Sequence, residues 1–478
     1  MLSWITIAVY LAVMFALSAL SARKGHGDFY ARGKSPGWMV AVAMIGACMS
    51  GVSYVSVPGM VGVSGWGYLQ MCLGFIAGYC VIALVLIPLY YRLQVVSIYE
   101  YLDRRFGTSA YRTGAWFFFV SKLLGASVRM YLLCIALQLL LFDPLGLPFA
   151  LNVVLSVAVI FAYTFRGGVG SVMWNDVLKT VCMVVSVGIC IIYILSGGVS
   201  VGFGDGHLTR IFYFDDVNHP QFFWKQFAGG FLTVIAMTGL DQDMMQRALS
   251  GRNSRSSQRS LMVSVFLQVA VIFLFLVLGV LLYRFAELNG IPERGDLLFP
   301  AVATSGLLPP VAGVLFVLGL VSAGYGAGGS ALTSLTTSFS RDILGVEARK
   351  SVHAGMAAAM VVTILIFSAL NSTSAIDAVY RLASYTYGPL LGLFAFGILV
   401  KREIRGSLVP LVAVVAPLLC LLLQLNSERW FGGYSFSYEI LFFNAAFTFA
   451  GLCCLIRRSR HSGGPSRSEV RASSPDKS

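Results

Sequence analysis

Charge is what this sequence has least of. Asp, Glu, Lys and Arg together make up only 12% of the 478 residues, 57% are hydrophobic and the mean hydropathy is +0.80, far outside the range of soluble domains. Histidine is scarce too: the five present are dispersed, and the nine cysteines lie scattered through apolar segments with no CxxC spacing and a single adjacent pair, Cys453-Cys454. A metal cage or a disulfide framework has no residues to rest on, and the cysteines read as small buried hydrophobes. Missing as well are a GxSxG elbow, a phosphate-cradling glycine loop and any pair of catalytic carboxylates. An intramembrane enzyme would lack a reactive constellation, so the chain is expected not to be an enzyme.

What is there is apolar sequence in long runs. A helix needs about 20 such residues to cross about 30 Å of hydrocarbon, and lipid offers no partner to an unpaired backbone. The expectation is an all-α integral membrane protein of about thirteen spans, at 2–21, 38–63, 65–91, 113–142, 149–165, 168–195, 225–246, 260–285, 309–339, 352–370, 375–400, 407–425 and 435–456. Alternate loops beginning at Arg23 hold 25 of the 34 Lys and Arg residues, the group at 247–259 among them. Cytoplasmic loops carry that excess, which puts the N-terminus outside and the C-terminus in the cytoplasm, in the cell (inner) membrane. Topology thus accounts for the net charge of +13, which gives no support to a nucleic-acid partner. The basic residues of the first span follow its apolar run, so it reads as a retained helix and not a signal peptide. The Ser/Pro/Arg-rich tail 459–478 reads as disordered.

Two spans are interrupted. The second reads "VAVAMIGACMSGVSYVSVPGMVG", with Ser50-Gly51 at mid-membrane, and the seventh reads "FAGGFLTVIAMTGLDQDMMQRAL", with Thr238-Gly239-Leu240-Asp241 at the same depth. Breaks five spans apart are what an inverted repeat of five plus five helices produces, and transporters expose backbone at such breaks to bind their cargo. A carboxylate in hydrocarbon is costly unless it faces a polar cavity, which makes Asp241 a functional candidate. The alternative is that Asp241 and Asp243 lie at the cytoplasmic end of the span.

A third stretch, "GLVSAGYGAGGSALTSLTTSFSRDIL" (319–344), puts Gly324, Gly326, Gly328 and Gly329 within six residues of an apolar helix. Small residues let helices approach closely, so one reading is a packing stripe. The other is an ion site that has lost its oxygens.

At these residues the chain resembles the solute:sodium symporter family. The segments that carry the resemblance are "MSGVSYVSVPG" (49–59), "KLLGASVRMYL" (122–132), "RGGVGSVMWNDVLKT" (166–180), "MTGLDQDMMQRAL" (237–249), "ALTSLTTSFSRDIL" (331–344) and "YRLASYTYGPLLGLFAFG" (380–397). The resemblance implies a LeuT-like fold with one extra N-terminal and two extra C-terminal helices. The chain then divides into an extra helix with the first cytoplasmic loop (1–35), a first repeat (36–224), a second repeat (225–402), two C-terminal helices (403–456) and the tail (457–478).

The resemblance also implies a sodium site, the one non-protein component it suggests, with backbone carbonyls from Gly46, Met49 and Ala323. Two neighbouring hydroxyls should complete it, but those positions fall on Gly326 and Ala327, which supply none. Of the oxygens that relatives with a second sodium site use, only Asp176 and Ser330 remain. Where the family commonly reads W-T-D-x-x-Q, this chain reads "WNDVLK", placing Lys179 at the glutamine and three residues beyond Asp176. Lys179 is then a candidate tethered cation for the depleted site, coupling transport to protons together with Asp176. The alternative is that Lys179 snorkels to the interface, although thirteen residues from Arg166 is about 20 Å of helix.

For the solute, a small organic molecule, the residues facing the breaks are Ser50, Ser53, Tyr54, Gln70, Asp241 and Gln242. Arg129 reads as structural, paired with an intramembrane acid. The expected function is secondary transport by alternating access with sodium dependence weakened or replaced. Conventional sodium symport and a solute receptor that does not transport are the alternatives. Beyond the solute and the lipid bilayer, no obligate protein partner is evident.

Overall fold

The structure is a computed structural model that describes residues 2–23, 36–95, 97–198, 206–346, 350–370, 375–431, 434, 436 and 438–457; the tail 459–478 lies outside them. Among the described residues all regular structure is helical, apart from one isolated bridge between Ile404 and Ile456. The first helix, α1, is Leu2–Arg23. Next come α2 (Gly37–Cys48) and α3 (Gly51–Ser64), inclined to each other by 63°, and α4 (Tyr68–Leu93). Then follow α5 (Thr108–Leu137), α6 (Phe149–Ser196), α7 (Phe223–Val234), α8 (Gln242–Ala248), α9 (Ser254–Leu288) and α10 (Pro310–Ser338). The chain closes with α11 (Lys350–Leu370), α12 (Ala375–Leu399), α13 (Val409–Leu425) and α14 (Ile440–Cys454).

Among the described residues eight helices are long and apolar enough to cross a membrane, or nine with the bent α2–α3 pair as one span. The count of thirteen is not reached on length and composition. The helix Ile440–Cys454 is shorter than such a span, and the expected span 225–246 is split between α7 and α8.

Both breaks fall where the sequence places them. Met49 and Ser50 are extended, with Met49 N closing the end of α2 on Ile45 O at 2.8 Å. In the second, a π turn over Ile235–Gly239 gives way at Leu240, and Asp241 restarts the helix as N-cap of α8, accepting from Asp243 N (2.9 Å) and Met244 N (3.2 Å). A carboxylate is a strong cap for orphan N–H groups.

The expected spans 149–165 and 168–195 form one helix, α6. Tyr163 in its first half and Lys179 in its second both meet the Gly326–Gly329 stretch of α10, although sixteen residues of straight helix would hold them about 24 Å apart. The axis must therefore turn between them.

The glycine run of α10 has a steric explanation. A Cβ on Gly324 would meet Leu133, on Gly326 the stem of Lys179, on Gly328 Ile160 and Met130, and on Gly329 the Tyr163 ring and hydroxyl. Each missing side chain makes room for one from α5 or α6, and α10 is buried almost throughout Phe316–Ser338. Tyr163 donates to Tyr325 O at 2.8 Å, which fixes its ring over the glycine. We expect Gly329→Ala to cost about 1–3 kcal/mol through overpacking, and Tyr163→Phe added to it to recover part of the loss. Thermal melting of the purified variants checks this; a Gly329→Ala protein that melts like wild type would contradict the packing.

Candidate functional site

Between the two breaks lies a cavity of about 100 Å³. Ser50 and Ser53 line it from the first break, Thr233 and Thr238 from the second, Gln268 from α9 and Arg129 from α5. Cys48 Sγ lies 3.3 Å from the Tyr79 hydroxyl, which donates to Gln268 Oε1 at 3.2 Å. The walls are thus mostly apolar with a few converging polar groups, as in small-molecule sites generally. Arg129 also lines a smaller cavity of about 30 Å³ shared with Lys122, Asp241 and Tyr387. It forms no ion pair or hydrogen bond among the described residues. Its expected acid partner is absent there, because Asp241 across the smaller cavity is taken by Lys122.

Three of the residues expected at the solute turn away from the larger cavity. Tyr54, one position past Ser53 and so on another helix face, bonds to Ser186 Oγ at 2.9 Å, its ring packed among Phe275, Phe299 and Phe316. Gln70 reaches the connection between α6 and α7, donating to Gln221 O (3.0 Å) and accepting from Tyr213 N (3.1 Å). Gln242 accepts from Ile98 N at 2.9 Å.

Behind the cavities runs a chain of buried charge. Lys122 Nζ lies 3.2 Å from Asp241 Oδ2 and 2.8 Å from Asp243 Oδ2, and Asp241 also accepts from the Tyr387 hydroxyl at 2.8 Å. Asp243 pairs with Arg247, whose guanidinium also donates to the Asp243 carbonyl (2.8 Å), to Ser330 Oγ and, through Nε, to Asp176 Oδ2 (3.0 Å). Ser330 in turn donates to Asp243 at 2.9 Å. Asp176 Oδ1 stands 3.5 Å from Lys179 Nζ, both side chains fully buried. Three cations face three carboxylates, all of them buried, a balance that a low-dielectric interior requires. Arg247, whose position in sequence suits a cytoplasmic loop, is 2% exposed.

The structure brings Gly46, Asp176, Lys179, Gly326 and Ser330 into one neighbourhood. A Cβ on Gly46 would strike Asp176 O and Thr180 Oγ1, and one on Gly326 would sit 2.8 Å from Lys179 Cδ. Met49 lines the larger cavity and is buried, as is Ala323 a turn before Gly326; Ala327 is half-buried. Lys179 Nζ makes no hydrogen bond among the described residues.

The sodium:solute symporter family model matches residues 29–410. The chain belongs to that family. Among relatives, the sodium/sialic acid symporter NanT of Aliivibrio fischeri is 26% identical over 87% of each chain. Human sodium-coupled monocarboxylate transporter 1 is 26% identical over 78% of this chain and 64% of its own. A solved Na+-coupled sialic acid symporter in a substrate-bound outward-open state shares the fold at TM-score 0.75 and 20% identity, covering 95% of this chain and 97% of that one. This symporter-family protein is therefore a multi-pass membrane transporter with a LeuT-like fold. Sequence reasoning passed over Gln268, took Arg129 as paired with an acid and counted Arg247 as a loop charge. The signal for Arg129 was its place seven residues after Lys122, on the same face of α5.

Proposed function

We propose that this protein carries a small organic anion bearing a carboxylate across the membrane by alternating access, with Arg129 holding the carboxylate between the two breaks and Ser50, Ser53, Thr233 and Gln268 taking its hydroxyl or amide groups. The observation that carries the reading is an arginine without an acid partner on the wall of the central cavity: an anion from solution is its natural counter-charge. The names of the relatives, a sialic acid symporter and a monocarboxylate transporter, agree with it. We further assign 36–224 and 225–402 as the two repeats, with the N-terminus outside.

Coupling, on this proposal, does not use sodium at the family's shared site. A hard cation needs a cage of oxygens. Gly326 and Ala327 bring none, Ser330 and Asp176 are engaged by Arg247, and the Lys179 stem lies where a Gly326 side chain would stand. Lys179 serves as the resident cation, with Asp176 as its partner. The runner-up is ordinary sodium symport, favoured by the sodium coupling in the relatives' names.

Uptake of radiolabelled sialic acid and of a short monocarboxylate into proteoliposomes tests the first part. Accumulation of either, lost when the carboxylate is replaced by an amide, is expected; binding without filling of the lumen would instead mark a receptor. For the second part, replacing choline with millimolar sodium should leave the melting temperature of the purified protein unchanged. A sodium-dependent rise would restore conventional symport.

A further inference from the structure

We infer that the groove between the start of α5 and the start of α13 is a binding site for one anionic phospholipid. The groove encloses about 500 Å³ and is lined by Thr108, Arg112, Trp116 and Phe117 on one side and Pro410 and Val414 on the other. Its two ends differ in chemistry. Toward the membrane the walls are apolar: Trp116 is 47% exposed, Val414 is 52% exposed, and α13 has only 22% of its spanning window buried, so the groove opens onto the lipid-facing surface. Trp116 is held rigid by edge contacts with Phe119 and Phe339, a wall fit for an acyl chain.

At the other end the groove has one cation on its wall, Arg112. Arg105 donates to Gly397 O (3.3 Å) and Val400 O, which ties segment 401–405 to helix Glu100–Phe106, and Gly406 packs on Phe106 O directly before Thr108. Arg104, Lys401 and Arg405 lie on the two segments so joined, close in sequence to the residues that line the groove with Arg112, and the four side chains form no ion pair or hydrogen bond among the described residues. Of the carboxylates in these segments, Glu100 is taken by Arg341 at 3.0 Å, leaving Asp103 and Glu403 against the cations. A free phosphate ion would use the charge and leave the apolar walls bare. A lipid uses both: its phosphate sits at Arg112, with the Thr108 and Ser109 hydroxyls beside it, and one acyl chain runs past Trp116 to Val414. Clusters of this kind beside a membrane helix attract anionic headgroups at about 1 kcal/mol per cation, or about fivefold in affinity.

Native mass spectrometry of the full chain in detergent, given phosphatidylglycerol and phosphatidylcholine in equal amounts, tests the site. Wild type should retain one phosphatidylglycerol in about fivefold preference. Arg112→Gln should bring that preference close to unity. Val414→Trp, which fills the groove without touching the charges, should remove one retained lipid of either kind. Equal retention of the two lipids by wild type, or a preference that survives Arg112→Gln, would overturn the site. A dimer that Val414→Trp dissociates would overturn it too, by giving the groove to a second copy.

Discussion

Replacing Arg129 by alanine should abolish carboxylate uptake while leaving the protein as stable as before or slightly more so. The two halves of this expectation have one cause. A charged hydrogen-bond pair lost from a desolvated site costs about 2–5 kcal/mol, which corresponds to a fall of about 30-fold to several thousand-fold in kcat/KM for the carboxylate solute. Stability is spared because Arg129 holds no acid among the described residues, so its removal strands no buried charge. Arg129→Lys should recover only part of the uptake, since an ammonium lacks the planar fork that grips both carboxylate oxygens. The amide analogue separates this role from a general defect: wild type and Arg129→Ala should handle it equally poorly. Undiminished uptake of the acid by Arg129→Ala would remove the residue from the site.

Arg247 should show the opposite signature. Its guanidinium is the link between Asp243 and Asp176, and Arg247→Met would leave three buried carboxylates, Asp241 among them, with only Lys122 and Lys179 to face them. Breaking a buried pair from one side costs about 3–5 kcal/mol, a large share of the about 5–15 kcal/mol that holds a protein folded. We expect little monodisperse Arg247→Met protein after extraction and a markedly lower melting temperature. Asp176→Asn in the same chain should return part of the loss, because it removes the carboxylate left with the weaker partner. A single variant that melts like wild type would show that the ion pairs do not carry the packing of α8 on α6 and α10.

Much of this was legible in the sequence, for identifiable reasons. The breaks at Ser50 and Asp241 announce themselves because glycine and a capping carboxylate have few other uses at membrane depth. The burial of Lys179 follows from helical rise alone. Facing was harder. Ser53 and Tyr54 are neighbours in sequence, yet about 100° apart on the helix, and only the packing of Phe275, Phe299 and Phe316 decides which one meets the cavity. Gln70 and Gln242 are spent on loop and turn backbone whose position no local pattern encodes. Arg129 and Arg247 were misjudged in mirror image. Whether an intramembrane arginine has a partner depends on residues far along the chain, so Arg129 read as paired and Arg247 as a loop charge. The glycine run allowed two readings, and both describe the same contact: the space at Gly326 that would hold a hydroxyl is where the Lys179 stem passes.

The balance of three buried cations and three carboxylates has an electrical consequence. Taken as ionised, the six groups cancel, so a membrane potential of 100 mV, worth about 2.3 kcal/mol per uncompensated charge, finds no purchase on them as the protein reorients. Arg129 is the charge in the binding region left over, and a bound carboxylate would cancel it as well. The loaded carrier would then cross as a neutral body, and voltage would act on the return of the empty one.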